Sequence, residues 1–195
     1  LASSEAFPLF AMTSITKGGL GLDEANIGIV QTIAGSVFVL GQYSVFMFVK
    51  KRVGVLEAVR IGAFYSNFLR ILIPLGLYFS STSGSDHNWC QLGYLGLVAG
   101  VAEIFGSIFM GCATIGSNAR IEHPSQRASM NGLLSMVASL GRGIGPIVSG
   151  YLVAWTMASE TISSQLSGWV VYGVLLLAGM VTYVSTMAIP NESKR

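Results

Sequence analysis

Five long apolar stretches restrict the possible fold of this chain more than any other feature of the sequence. Each has about 20 residues or more, which is the length that a helix needs to cross the hydrocarbon core of a bilayer. The stretches lie at roughly 27–49, 56–79, 92–117, 128–155 and 166–189. A shorter apolar segment, residues 1–16, has the character of a sixth helix whose beginning is missing. The pattern therefore predicts an all-α integral membrane protein, a six-helix bundle with a truncated first helix.

The composition agrees with lipid as the surrounding solvent. Of the 195 residues, 52% are hydrophobic and only 10% are charged, whereas soluble domains carry about 25% charged residues. The 24 glycines are also more compatible with membrane helices than with soluble ones. A formal net charge of +2 is too small to indicate nucleic-acid binding. We expect the lipid bilayer as a partner and no nucleic acid.

The two cysteines and the two histidines do not indicate a metal site or a cofactor. Cys90 lies in a predicted loop and Cys112 lies inside an apolar stretch, so we expect no disulfide between them. His87 and His123 are loop residues without a partner at metal-ligand spacing. We therefore expect neither a metal nor another cofactor.

The charges between the apolar stretches are distributed unevenly when the connecting segments are assigned to alternate sides of a membrane. One side holds a basic set that consists of Lys50, Lys51, Arg52, Arg120, Arg127, Lys194 and Arg195. The other side holds Lys17 together with several acids. Because loops rich in lysine and arginine stay inside, the basic side is predicted to be cytoplasmic. The protein is thus expected to be multi-pass, in either a plasma or a vacuolar-type membrane.

The aromatic residues support the same orientation. Trp89, Trp155 and Trp169 all fall at the boundary opposite the basic side. Amphipathic rings settle at the headgroup level of a membrane. The three tryptophans therefore predict the outer interface.

Four ionisable residues lie well inside the apolar stretches, and they are Glu5, Arg70, Glu103 and Arg142. An isolated charge at the bilayer centre costs about 2.5–3.5 kcal/mol, so each should face protein or water and have a partner. The last three lie at matching depths, each about 21 Å from the cytoplasmic side at helical rise. We favour a pair between Glu103 and Arg142 and expect a structural role for Arg70.

The role of Glu103 is open between two alternatives. It can form a permanent clamp with an arginine, or it can carry a proton or contact a substrate. Glu5 is followed one turn later by Pro8, and interrupted helices often mark binding regions, which favours a functional role. Gln31 can line a water-filled cavity or bond between helices. The candidate residues for substrate or proton coupling are Glu5, Gln31, Glu103 and Arg142.

The string SLGRGIGPIVSGY combines glycines, an arginine and a proline inside an apolar stretch. A phosphate-binding loop would require a preceding strand, which the pattern does not predict. Gly141 and Gly145 are four residues apart, a spacing that lets a second helix approach closely. Pro146 deprives the carbonyl of Arg142 of its helical hydrogen bond. With Gly150, these residues predict a bent and closely packed helix.

Two segments carry a family pattern. In EAFPLF and the following KGGLGLDEANIGIV, the matching positions are Glu5, Pro8, Gly18, Gly19, Leu20, Gly21, Ile27 and Gly28. In NARIEHPSQRASMNGLLSMVASLGRGIGPIVSG, they are Asn118, Pro124, Arg127, Asn131, Gly132, Arg142, Gly145, Pro146 and Gly150. Across essentially its whole length, the chain resembles the C-terminal half of a major facilitator superfamily transporter of the drug-proton antiporter and zinc-induced-facilitator-like kind.

The resemblance implies a twelve-helix carrier in which two six-helix bundles rock around a central site. The missing partner would be an N-terminal six-helix half. The implied activity is alternating-access secondary transport of a small-molecule or ion substrate, with proton coupling in many members. The resemblance places Glu5, Gln31, Glu103 and Arg142 at the cavity. The loop KKRVG departs from the family because it lacks the aspartate of the family's gating motif.

Two other interpretations remain open at this point. The chain can be a self-assembling six-helix permease or channel, which a truncated first helix disfavours. It can also be an integral-membrane enzyme, which would need paired acids, a metal-binding cluster or an activated serine. No apolar stretch of the sequence holds two acids or a histidine. We therefore expect a transport protein and no enzyme.

Overall fold

The computed structural model describes residues 2–79, 89–119, 121, 123–158 and 164–188. Within these ranges every regular element is a helix, which confirms the all-α prediction. The helices are α1 (Ala2–Met12), α2 (Glu24–Arg70), α3 (Gly76–Phe79), α4 (Trp89–Ala119), α5 (Pro124–Ala158) and α6 (Ser164–Met187), with single 3₁₀ turns at Ile15–Lys17 and Ile73–Leu75.

The 47 residues of α2 contain a break at Gly54. The backbone there has φ 81° and ψ 177°, a left-handed conformation that glycine adopts readily because it has no Cβ atom. We call residues 24–53 the first arm of α2 and residues 55–70 its second arm.

The first arm lies parallel to α4. Ile33 of the arm meets Gly96, and Phe46 meets Gly111 farther along. Residue numbers thus increase in the same direction along both helices.

The second arm lies antiparallel to α4, so the chain reverses direction at Gly54. Near its start Val55 meets Gly116, and at its end Arg70 reaches Glu103. The same arm is also antiparallel to α6, where Asn67 contacts Gly179.

The bundle has two chemically different ends. Trp89 and Trp169 lie near the starts of α4 and α6, and Trp155 lies near the end of α5. We call this the tryptophan end. The opposite end includes the reversal at Gly54 and the basic run 50–52 that precedes it, in which Lys51 and Arg52 are exposed, and we call it the basic end.

The connection between α1 and α2 folds back over the tryptophan end. The Leu22 amide donates to the carbonyl of Ala11 at 2.8 Å. The Ser167 hydroxyl of α6 donates to the carbonyl of Lys17 at 3.1 Å. The Asp23 carboxylate caps α2 by accepting from a backbone amide in its first turn, as expected for an N-cap residue.

Among the residues that the structure describes, four helical stretches are long and apolar enough to cross a membrane, namely Glu24–Phe79, Trp89–Ala119, Gln126–Thr156 and Leu166–Met187. Because the first stretch reverses at Gly54, its 56 residues pass through the bundle twice. Large apolar side chains cover much of the outside, including Leu40, which is 80% exposed. Such a surface is unsuited to water and suited to lipid. The chain is a multi-pass membrane protein.

Two apolar clusters stabilise the bundle at different depths. Near the tryptophan end, Phe10 packs edge-to-face on Tyr172 with 5.5 Å between ring centroids, a favourable aromatic geometry. Toward the basic end, Ile108 and Cys112 of α4 are buried against the two arms of α2. The level between the two clusters contains Arg70 and Glu103.

Close backbone approaches in the described ranges occur between α2 and α4. A Cβ atom at Gly100 would lie 2.7 Å from the carbonyl oxygen of Ala34. One at Gly62 would lie 2.6 Å from the backbone nitrogen of Phe109. Both positions therefore require glycine, as expected for small residues at membrane helix contacts.

The glycines of α5 are placed more loosely. Gly145 is buried and Gly141 is exposed. A Cβ atom at Gly150 would meet only Leu9 of α1, at an ordinary 3.7 Å. The helix continues through Pro146 to Ala158, and the bend expected at this proline stays a prediction.

Candidate functional site

An ion pair lies at the middle depth of the bundle. The Nη2 atom of Arg70 is 3.2 Å from the Oε1 atom of Glu103. The pair joins the end of the second arm to the centre of the 31-residue α4. Our preference for Arg142 as the partner of Glu103 is wrong, because Arg70 holds that position.

The local sequence explains why Arg70 reaches this place. Pro74 lies four residues later and has no N–H group for the carbonyl of Arg70, so the helix cannot continue regularly. The chain turns instead into the 3₁₀ turn Ile73–Leu75. A basic residue in the last turn of a helix is also favoured by the helix dipole. Arg70 thus sits at a helix end whose neighbouring helix presents Glu103.

A cavity of about 450 Å³ lies on the side of this pair toward the tryptophan end. We call it the outer cavity. Apart from the ion pair, Gln31 is its polar side chain, and the rest of the lining is apolar. The apolar lining consists of Phe7, Pro8, Val30, Ala34, Gly35, Phe38, Ile73 and Ala99.

A second cavity, of about 380 Å³, lies on the side of the pair toward the basic end. We call it the inner cavity. Its lining includes more polar side chains, with three hydroxyl groups and one amide from Ser66, Asn67, Ser107 and Thr182. Its remaining members are Gly106, Phe109 and Met110, together with the shared residues named below.

Arg70, Glu103 and Phe38 line both cavities. Along α4, Ala99 lines the outer cavity and Ser107 the inner one, four residues before and after Glu103. Residues four apart occupy the same face of a helix, so one face of α4 borders both cavities. Arg70, Glu103 and Phe38 therefore lie at the partition where the two cavities meet.

The two members of the pair differ in exposure. The Arg70 side chain is 12% exposed, whereas that of Glu103 is 48% exposed. The arginine is thus enclosed by protein, while the carboxylate borders open space. Any group entering either cavity can reach the carboxylate.

The other candidate residues from the sequence are distributed differently. Gln31 lines the outer cavity. Glu5 belongs to α1, but its side chain lies outside the described part of the chain. Pro8, one turn after Glu5, does line the outer cavity.

Arg142 is exposed and lines neither of the two cavities. Among the residues that the structure describes, no acidic side chain pairs with it. Arg142, Ser149 and Thr156 follow one another at seven-residue intervals and thus share nearly the same helix face. The last two are buried, so this face of α5 is directed toward the bundle where the helices meet.

Arg70 was not among the site residues predicted from the sequence. The hydroxyl-bearing residues of the inner cavity were not predicted either. The matching depth of Arg70 and Glu103 was a usable signal, and Pro74 was a second one. Ser107 and Thr182 gave no signal, because serine and threonine commonly bond to carbonyls of their own helix.

No group of three or more histidine, cysteine, aspartate or glutamate side chains within the described ranges is arranged to hold a metal ion. The described linings of the two cavities hold one carboxylate, one guanidinium and several neutral hydrogen-bonding groups. Such a set can bind polar solutes and exchange a proton.

Two relatives from Arabidopsis thaliana are similar to the chain. A probable peptide/nitrate transporter is 25% identical over an alignment of 174 residues. The alignment covers 82% of this chain and 31% of the relative. The protein zinc induced facilitator-like 1 is 23% identical over an alignment of 199 residues. The alignment covers 96% of this chain and 38% of the relative. No family model and no solved structure matches the chain.

These similarities support membrane transport as the general role, and they agree with the expectation of a transport protein rather than an enzyme. The chain spans 31% and 38% of the lengths of these two curated relatives.

Proposed function

We propose that this chain is one bundle of an alternating-access secondary transporter of the major facilitator type, and that Glu103 couples solute movement to protons. The observation that carries the proposal is the ion pair of Arg70 and Glu103 in the partition between two cavities. Its mid-membrane depth matters because charges there are expensive and commonly functional.

The exposure of Glu103 favours coupling over a permanent clamp. A clamp is most stable when both charged groups are enclosed and fully hydrogen-bonded. Here the carboxylate is 48% exposed while the guanidinium is 12% exposed. Glu103 can therefore accept a proton from water or contact a solute while Arg70 stays in place.

The proposed coupling step is a change of partner at Arg70. Protonation converts Glu103 into a neutral acid and removes its charge-assisted hydrogen bond to the guanidinium. Arg70 then attracts another negative group more strongly, while the neutral acid can donate a hydrogen bond. Because the pair joins α2 to α4, this exchange changes how strongly the two helices are held together.

The solute is proposed to bind at the outer cavity. This cavity combines an apolar wall with Gln31 and the ion pair, a combination typical of sites for small organic molecules. A second bundle of similar size is proposed to complete the carrier, in keeping with the 31–38% of the relatives' length that the chain spans.

The test measures proton movement in liposomes that contain the full-length protein and an internal pH-sensitive dye. Nitrate and dialanine serve as the first probes, since one relative is named as a probable peptide/nitrate transporter. We expect probe-dependent proton flux in the wild type and a loss of at least about tenfold in Glu103→Gln, in which the titrating group is removed.

Glu24→Gln is the matched control, because Glu24 lies at the start of α2 at the tryptophan end and lines neither cavity. This variant should keep the wild-type flux. Full probe-dependent proton flux in Glu103→Gln would contradict the proposal.

A further inference from the structure

We propose that the inner cavity is a water-filled path along which protons move between Glu103 and the basic end, separate from the solute site in the outer cavity. This inference rests on the proposed function, and it adds a route and a second set of residues. The two cavities meet at Glu103 from opposite sides, so a proton and a solute need not share one entrance.

The lining of the inner cavity suits water. Ser66, Ser107 and Thr182 each contribute a hydroxyl group, and Asn67 contributes an amide. The Asn67 amide nitrogen donates to the carbonyl of Ala63 at 2.7 Å. The Thr182 hydroxyl donates to its own helix at 3.4 Å. Their oxygen lone pairs stay available as acceptors for water.

The volume of the inner cavity allows several waters to be connected. A buried water needs two to four polar partners and occupies about 30 Å³ of liquid volume. The cavity of about 380 Å³ is large enough for a chain of such waters. The described lining of the outer cavity has Gln31 as its polar side chain besides the ion pair and carries no side-chain hydroxyl group.

The cavity extends from the ion pair toward the basic end. On α4 its lining continues from Glu103 through Gly106 and Ser107 to Met110, and α4 runs toward the basic end. Met110, which is 44% exposed, lies at the end of this lining nearest the basic end. At its other end Phe38, which borders both cavities, marks with the ion pair where this path meets the outer cavity.

The proton transfer itself is simple. The O–H bond of protonated Glu103 breaks, a water of the inner cavity takes the proton as hydronium, and the carboxylate that remains pairs again with Arg70. Within the two cavity linings that the structure describes, Arg70 and Glu103 are the only ionisable side chains. The waters, held by hydroxyl groups, therefore carry the proton beyond Glu103.

The first test is the accessibility of Ser107→Cys to a charged, water-soluble thiol reagent applied from either side of the membrane. The background is Cys90→Ser, since Cys90 is exposed, while Cys112 is retained because it is buried. Reaction is expected from the basic end. Ile108→Cys is the matched control. Ile108 follows Ser107 directly and is 1% exposed in the core, so a cysteine at this position should stay unreactive.

The second test is proton flux in the double variant Ser107→Val/Thr182→Val, in the dye-loaded liposomes with nitrate and dialanine. Losing two hydroxyl partners for water should lower probe-dependent proton flux about tenfold. Exchange of labelled probe at equal pH on both sides should be unchanged, because the outer cavity is intact. A merely structural role of the two hydroxyls would lower both.

Two outcomes would overturn the path. One is wild-type proton flux in the double variant, or a parallel loss of proton flux and probe exchange. The other is reaction of the Ser107→Cys variant from the tryptophan end alone, or from neither end. Either result, together with flux lost in Glu103→Gln, would reject the path and leave the coupling role of Glu103 intact. Wild-type flux in Glu103→Gln would instead reject the proposed function.

Discussion

The α2–α4 interface and the α5 segment 139–151 each contain an arginine four residues before a proline. In the interface, Pro74 follows Arg70, the helix ends, and the guanidinium lies 3.2 Å from Glu103. In α5, Pro146 follows Arg142, the helix continues, and no acidic side chain that the structure describes is paired with that arginine. The same local pattern therefore has two different outcomes.

The glycines around these arginines differ in the same way. At Gly62 and Gly100, a Cβ atom would be less than 3 Å from the backbone of a facing helix. At Gly143, a Cβ atom would meet nothing within 4 Å. Close backbone approach brings side chains on facing helices within ion-pair distance. The contact between helices, rather than the arginine-proline spacing, therefore decides which arginine pairs with Glu103.

The largest expected difference is between Arg70→Gln and Arg142→Gln. Removing Arg70 leaves the Glu103 carboxylate without its counter-charge at mid-membrane depth, which should destabilise the protein by about 2 kcal/mol given the partial exposure of Glu103. Removing Arg142 breaks no described ion pair and should change stability by less than about 0.5 kcal/mol. Thermal unfolding of the purified variants in detergent measures both. A larger loss in Arg142→Gln would reverse the comparison.

A somewhat smaller difference is expected between Gly62→Ala and Gly143→Ala. The added methyl group at Gly62 would lie 2.6 Å from a backbone nitrogen of α4, so the helices must separate slightly, at about 1 kcal/mol. At Gly143 the methyl group is accommodated, and replacing glycine in a helix should stabilise by up to about 1 kcal/mol. We expect the unfolding midpoint to fall in Gly62→Ala and to rise in Gly143→Ala, each relative to wild type. Equal shifts would show that both contacts are equally close.

The smallest expected difference is between Pro74→Ala and Pro146→Ala. Pro74 is buried, and its replacement lets the helix extend past Arg70, which loosens the ion pair and should lower the unfolding midpoint by about 2–4 °C. Pro146 lies inside a membrane helix, where the missing hydrogen bond is tolerated, so its replacement should shift the midpoint less. A greater shift in Pro146→Ala would show that α5 depends on its proline more than α2 does.

Hydropathy alone was sufficient to predict the all-helical class and long apolar helices, because the need to satisfy backbone groups in lipid leaves few alternatives. The sequence also limited the partners of Glu103 to two arginines by depth. It did not choose between them, because depth is a coordinate along the membrane normal and carries no information on which helices are neighbours.

The partner choice depended on the reversal at Gly54, which lays both arms of α2 against α4. That reversal follows a basic run and needs a left-handed glycine conformation, but many glycines in the sequence could have supplied one. The inner cavity was equally hidden, since it takes residues from three helices that are distant in sequence. Contacts of that kind are tertiary and leave no periodic signal in one chain.

The most direct test of the central claim is a pair of double-mutant cycles on unfolding free energy. One cycle combines Glu103→Gln with Arg70→Gln, and the matched cycle combines Glu103→Gln with Arg142→Gln. We predict a coupling energy of about 1–2 kcal/mol in the first cycle, because the two groups are in contact, and additivity within about 0.5 kcal/mol in the second. Additive effects in the first cycle with coupling in the second would contradict the pairing of Glu103 with Arg70 and the site built on it.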